Sequence, residues 1–388
     1  MAPPLPEPRV TAMLLPFALV VFLGYAAVGV PLSTLPMQVA SLGHGTATVG
    51  AIIGLSAAVT LLTRQLAGAA SDRRGPRAIV LLGLCVTALS GPAYAMSVAA
   101  PGEGLAWLAA GRVALGLGDS LFTTGIMAWA VARVGPGHAG RAMAWIGIAM
   151  YGALAIGAPL GVVLDAVGGF PAVAGATALM PLLAVPVAWA QRDMAVGGGP
   201  RASLAGVVRL IWAQGLGMVL ASAGFGTIAA FLALRYAAQG WSGAGLALTA
   251  FGAAYIATRL LFAGLPDRLG GARVALAALG TEAVGLLLIA GAPAAWVALV
   301  GTAVTGFGYS LVFPALGVEA VRRVPAESRG VALGAFLACF DLGLGAAGPV
   351  TGLVAGGFGL PAAFLAAAAA SGASRGRVGA RGGGGGGG

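Results

Sequence analysis

Four ionisable side chains lie deep inside long apolar runs of this sequence: Arg112, Asp119, Glu282 and Asp341. A charge at mid-bilayer depth costs roughly 2.5–3.5 kcal/mol on insertion scales, so such groups usually face a partner or a water-filled cavity. Arg112 and Asp119 are two helical turns apart on one face, about 10 Å along the axis, which suits a shared water or solute better than direct pairing. Arg112 fits an anion or substrate contact, or a structural arginine held by neighbouring carbonyls. Asp119, Asp341 and Glu282 could each carry a proton, because burial favours the neutral form of a carboxyl in general. A helix–helix hydrogen bond is the competing reading for Glu282, and a structural role stays open for Asp341. Arg64 and Arg259 sit two turns inside the inner face, where long arginines snorkel or brace a gate, with substrate binding as the alternative.

The elements that must position these groups repeat. Thr63-Arg64, Asp72, Arg73 and Gly75 return as Thr258-Arg259, Asp267, Arg268 and Gly270, all 195 residues on. Gly116, Gly118 and Ser120 return as Gly306, Gly308 and Ser310, and Gly169 and Pro171 as Gly359 and Pro361, at an offset of 190. Gly157-Ala-Pro159-Leu-Gly161 is echoed by Gly348-Pro349-Val-Thr-Gly352. The chain is 59% hydrophobic and 8% charged, against roughly 25% charged for soluble domains, so it lacks the polar surface to face water all round. Twelve apolar stretches suit ~20-residue spans: 11–36, 47–70, 78–100, 105–133, 142–167, 172–190, 208–234, 244–264, 274–291, 295–321, 330–357 and 361–373. The fold class expected is therefore all-α integral membrane, two six-helix bundles. The N-terminal bundle is 1–190, a cytoplasmic linker follows at 191–207, and the C-terminal bundle is 208–373. A Gly/Arg-rich tail, 374–388, is expected to be disordered. The twelfth stretch is short, and the first reads as a span rather than a cleavable leader.

All 21 basic residues are arginine, and the formal charge is +10. Their positions follow topology: with the N-terminus inside, nearly all fall at the cytoplasmic face, and Arg235 alone in an outer loop. That asymmetry obeys the positive-inside rule, places both termini in the cytoplasm and gives no reason to expect a nucleic-acid partner. Cys85 and Cys339 offer no disulfide framework, and His44 and His138 lie in opposite loops, so no metal site is expected. Glu319 stands one turn from Arg322 and reads as an interfacial ion pair. Glycines at four-residue spacing, Gly157 and Gly161 with Gly152 nearby, allow close backbone approach, and Pro159 permits a kink.

These motifs resemble the major facilitator superfamily, from residue 11 to about 370. Gly68, Asp72, Arg73, Gly75 and Arg77 match its cytoplasmic loop signature, with Pro76 replacing one basic position. Arg112, Gly116 and Gly118 match the span-4 signature, and Gly152 to Gly161 the efflux-type span-5 stretch, with Ala158 inserted. Ser222–Gly226, Thr258–Phe262 and Ser310–Gly317 are similar to little-characterised bacterial inner-membrane permeases described as sugar- or arabinose-efflux-like. The resemblance implies two pseudo-symmetric bundles rocking about a midplane site between spans 1, 4, 7 and 10. It also implies an inner gate latched by Asp72 and its basic neighbours against the start of span 11, with a counterpart at Asp267, Arg268 and Gly270.

Expected, then, is a secondary transporter of a small organic solute, working as a monomer in the inner membrane without a cofactor beyond a proton gradient. Proton-coupled efflux is favoured, with a sugar importer or a uniporter as the alternative. A non-transporting sensor is more distant, and an enzyme is disfavoured by the absence of clustered catalytic residues.

Overall fold

A computed structural model of the chain describes residues 7–135, 138–194, 204–262, 264–324 and 329–382. Among them the regular elements are helical: α1 (Glu7–Gly29), α2 (Leu35–Ser41), α3 (Thr46–Arg74), α4 (Pro76–Ala88), α5 (Ser90–Ala99), α6 (Gly104–Val134), α7 (Ala139–Trp189), α8 (Leu204–Ala238), α9 (Ala244–Phe262), α10 (Leu265–Leu269), α11 (Gly271–Ala290), α12 (Ala295–Arg322), α13 (Arg329–Phe358) and α14 (Leu360–Gly382). Short 3-10 turns at Val30–Leu32 and Pro101–Glu103 complete the set. Hydrocarbon offers no partner to backbone N–H and C=O groups, so long apolar segments must satisfy them internally, as helices do.

Among the described residues, ten helical stretches are long and apolar enough to cross a bilayer. One of them, α7, has 51 residues, about 77 Å of helix against ~30 Å of hydrocarbon. It is two passes joined at Gly168 (φ −135, ψ 15) and Gly169 (φ 64, ψ −173). The break falls there and not at Pro159, through which the helix continues. Gly359, the repeat mate of Gly169, likewise takes a positive φ, +85, at the turn between α13 and α14. The apolar part of α14, Leu360–Ser374, is roughly 22 Å long, so the twelfth pass is short, as its sequence suggests. Helix α14 continues to Gly382, which corrects the expectation of disorder from 374. Residues 383–388 and most of the linker, 195–203, lie outside the described residues.

The described chain forms two compact units. Unit 1 comprises Met1–Leu32 and Val59–Gly198; unit 2 comprises Ser33–Ala58 and Gly199–Gly388. This differs from a single cut at the linker, because the first half of α3 groups with unit 2. The reason is steric. Gly50 and Gly54 present bare backbone to Gly348 and Gly345 of α13, where any Cβ would collide with the opposing carbonyl oxygens. Thr46 Oγ1 donates to Gly352 O at 3.0 Å on the same seam.

Unit 1 is built around Phe17, Phe122, Ile126 and Trp129, all nearly fully enclosed, with Phe17 edge-on to Trp129 at 5.2 Å. In unit 2, Phe225 stacks on Phe251 at 5.1 Å and on Tyr309 at 5.9 Å, so these rings pack against one another. Arg235, expected in an outer loop, lies in the last turn of α8. Its apolar stem is buried there, with the guanidinium 5.3 Å from the Trp241 ring and Nη2 donating to Ala292 O at 3.4 Å.

The sequence repeat is a structural repeat. Gly75 (φ 82, ψ 149) and Gly270 (φ 88, ψ 138) are the N-caps of α4 and α11, in a left-handed conformation that glycine alone adopts cheaply. Thr63 and Thr258 both donate to the carbonyl one turn back, Val59 O and Ala254 O, at 2.7 Å.

Candidate functional site

Helix α6 carries the charged face of unit 1. Asp119, half-buried near its middle, receives the Thr60 hydroxyl of α3 at 3.4 Å. The same hydroxyl lies 3.0 Å from Gly116 O, so Thr60 spans the α3–α6 contact and fixes the aspartate. Thr123 Oγ1 donates back to Asp119 O at 2.5 Å. Arg112, 6% exposed, has a different neighbour. Its guanidinium lies near the hydroxyl of Tyr94 of α5 without meeting hydrogen-bonding geometry there; Tyr94 is fully buried and its ring closes over Gly111. The two charges thus share one helix but rest on different helices around it.

Toward the inner end, the loop signature turns at Gly75. Asp72 and Arg73 are exposed in the last turn of α3, and Gly68 has open space beside its Cα. Arg77 stacks over Trp189 at 4.7 Å, and the Asp193 carboxylate stands beside Gly75, 3.4 Å from where a Cβ would be. Trp129 Nε1 donates to Arg192 O at 3.0 Å. These contacts fasten residues 189–193 onto the signature turn and onto α6. In unit 2, Asp267 and Arg268 sit in the short helix α10, and Arg268 is exposed.

The glycine–proline stretch packs α7 onto the end of α1. A Cβ on Gly157 would lie 2.7 Å from Gly29 C and 2.8 Å from Val30 N, and one on Gly161 would collide with Val30 O. Gly152 is half-buried in the same helix. The matching stretch of unit 2, Gly348 and Pro349, lies on the seam with Gly50 and Gly54 described above.

Asp341 is 3% exposed in α13, next to Gly343, which allows α13 to approach Val219 and Ser222 of α8 closely. Glu282 is 0% exposed in α11, which packs chiefly on α12 and α14. The two acids therefore occupy different packing faces of unit 2. Arg259 braces α9 to α12: Nη1 donates to Ser310 O at 3.1 Å, and its guanidinium lies 5.8 Å from the Tyr255 ring. The Glu319–Arg322 ion pair forms, at 3.7 Å.

Sequence reasoning missed Thr60, Tyr94, Thr351 and Ser371. Thr351 accepts from Thr227 Oγ1 at 3.3 Å between α13 and α8. Uncharged polar residues on apolar helices look like packing in a sequence; only their opposite number across the contact distinguishes them.

With this architecture in place, comparison with known proteins decides the family. The family model described as Major Facilitator Superfamily matches residues 17–242 and 214–374. The chain belongs to the major facilitator superfamily. It is 44% identical over 367 residues to an uncharacterized MFS-type transporter of Pseudomonas aeruginosa, covering 94% of this chain and 91% of that one. An uncharacterized MFS-type transporter of Burkholderia mallei is also 44% identical, over 91% of this chain and 88% of its own. Among solved structures, the nucleoside transporter NupG superposes with a TM-score of 0.77 at 14% identity, over 95% of this chain and 99% of NupG. The human organic anion transporter MFSD10 gives 0.73 at 17% identity, over 96% of this chain and 100% of its own. At those identities the likeness shows the fold alone. This member of the superfamily is a multi-pass membrane transporter and not an enzyme.

Proposed function

We propose that the chain exports a small organic solute in exchange for protons, by alternating access. It would act as a monomer in the bacterial inner membrane with both termini in the cytoplasm. The observation that carries the reading is the pair of acids within spans, Asp119 of unit 1 and Asp341 of unit 2. A group so expensive to insert is retained where an ion or a polar solute has to be handled. Arg112 is assigned the contact to an anionic or polar part of the solute, and Asp341 the coupled proton. The Gly152–Gly161 stretch, which resembles the efflux-type signature apart from the inserted Ala158, supports the choice of export over import. Asp72, Arg73 and Arg77, with Asp267 and Arg268, are assigned to the inner gate.

The test is flux of a panel of anionic, cationic, sugar and nucleoside solutes in proteoliposomes, with and without an imposed pH gradient. Export driven by an inward proton gradient is expected for at least one class. The D341N variant should lose gradient-driven flux while keeping counterflow exchange, and R112A should weaken solute binding. Flux indifferent to the gradient in wild type would overturn proton coupling, and gradient-driven uptake in the proton's direction would make the protein an importer.

A further inference from the structure

Glu282 is enclosed completely where α11 crosses α12, with α8 and α14 closing the other sides. Its Oε1 occupies the space over Gly224 of α8, which has no side chain to exclude it, and Leu286 lines the same spot. The polar neighbour is Ser371 of α14, itself 0% exposed. Neither carboxyl oxygen nor Ser371 Oγ has a hydrogen-bond partner at hydrogen-bonding geometry in the structure. One turn on, Ser374 Oγ donates to Gly217 O at 3.2 Å and holds α14 on α8.

The internal repeat shows that packing does not require an acid here. The equivalent of Glu282, 195 residues earlier, is Thr87. In unit 1 a Cβ on Gly118 would lie 2.5 Å from Thr87 N and 2.7 Å from Gly83 O. In unit 2 a Cβ on Gly308 would lie 2.6 Å from Glu282 N and 2.5 Å from Ala278 O. The two crossings make equivalent backbone contacts, and in one of them the position is a neutral threonine. The carboxyl is an addition to a contact that closes without it.

Most charged groups on the helices around it stand well away. Arg235 on α8 lies about 16 Å along the axis from Gly224, and Glu319 and Arg322 on α12 lie at least as far from Gly308. Arg273, exposed near the start of α11, lies about 13 Å along the axis from Glu282. In α14 the nearest charged position is Arg375, one turn beyond Ser371. An ionised carboxylate enclosed without a partner is the costly form; a carboxylic acid can donate to Ser371 and satisfy both groups.

We propose that Glu282 is a proton-binding site of unit 2, separate from Asp341, that keeps its proton while α14 is seated. When α14 shifts, the O–H bond breaks, the proton passes to an entering water, and the carboxylate left behind is hydrated. Proton binding here stands by itself; its use in transport rests on the proton-coupled reading above.

Infrared spectra of the full chain in lipid, recorded in H2O and D2O through a pH titration, test the assignment. A protonated-carboxyl C=O band is expected at neutral pH, shifted in D2O and lost in E282Q. It should be lost equally in E282T, which installs the residue of the other half-repeat and guards against a misfolded glutamine variant. S371A should keep the band but shift the pH at which it titrates by about one unit, a change that a purely packing role would not produce. The same band in E282Q and E282T as in wild type would overturn the site, and an unmoved titration in S371A would remove Ser371 from it. Wild-type flux indifferent to a pH gradient would sink proton coupling and leave the band standing; an unchanged band with gradient-driven flux intact would do the reverse.

Discussion

Replacing Gly118 or Gly308 by alanine places one methyl group into a helix crossing that has no room for it. The new Cβ at Gly308 would stand 2.5 Å from Ala278 O and 2.6 Å from Glu282 N, where ordinary contact begins at 3.4 Å. The shortfall is therefore nearly 1 Å, and the blocking atoms are backbone, so α11 as a whole must move away from α12. At Gly118 the obstacles are Thr87 N at 2.5 Å, Gly83 O at 2.7 Å and the Thr87 hydroxyl, so the penalty should be similar in both units. Over-packing of this kind costs typically about 1–3 kcal/mol. Alanine also gains about 1 kcal/mol over glycine in helix propensity, so the controls must share that gain. Gly175 in α7 and Gly334 in α13 do: nothing lies within 4 Å of a Cβ at either position. Thermal unfolding in mild detergent should then rank G175A and G334A at or above wild type. G118A and G308A should melt below those controls by roughly 2–12 °C, at about 2–4 °C per kcal/mol for units of this size. Equal melting of all four variants would refute the close backbone approach, and loss at Gly308 without loss at Gly118 would refute the structural repeat.

Three further outcomes follow from single contacts. T60V removes the hydroxyl that touches both Gly116 O and Asp119 Oδ2; a loss of about 1 kcal/mol is expected, with an altered pH profile of flux, and a profile identical to wild type would detach Thr60 from the proton path. R259A deletes a charge-assisted hydrogen bond to Ser310 O and the stacking on Tyr255. It should destabilise the protein by about 1.5–3 kcal/mol, with R259K recovering only part, because an ammonium reproduces neither the planar stack nor the fork; full recovery would show that charge alone matters. W129F keeps an aromatic side chain, though a smaller one, but loses the Nε1–H donated to Arg192 O, and trypsin should then cut at Arg192 faster than in wild type, whereas an unchanged rate would mean that Arg77–Trp189 stacking holds the segment unaided.

Much of the architecture was legible in the residues themselves. Apolar stretches of bilayer length have one way to satisfy their backbone, so the spans, including the turn at Gly169 and the short twelfth pass, follow from composition and length. The half-chain offset led to matched N-cap glycines at Gly75 and Gly270 and to matched crossings at Gly118 and Gly308. The placing of Arg112, Asp119, Glu282 and Asp341 inside spans also needed nothing beyond counting. Arg235 misled because its helix runs further than the apolar stretch that announced it, with the guanidinium turned onto Trp241 and Ala292 O.

The sequence by itself determined a membrane-embedded helical chain with an internal repeat and acids in expensive places, because hydrocarbon tests each segment independently of its neighbours. What only the tertiary structure decided is which groups meet. Thr60 finds Asp119, Arg112 finds Tyr94, Glu282 lies against Gly224 and beside Ser371, and residues 33–58 join unit 2 through glycines of α13. Those pairings depend on the rotation of each helix about its own axis and on how near its backbone can come to another. Both are set by the shapes of two surfaces fitted together, and one-dimensional spacing records only one surface at a time.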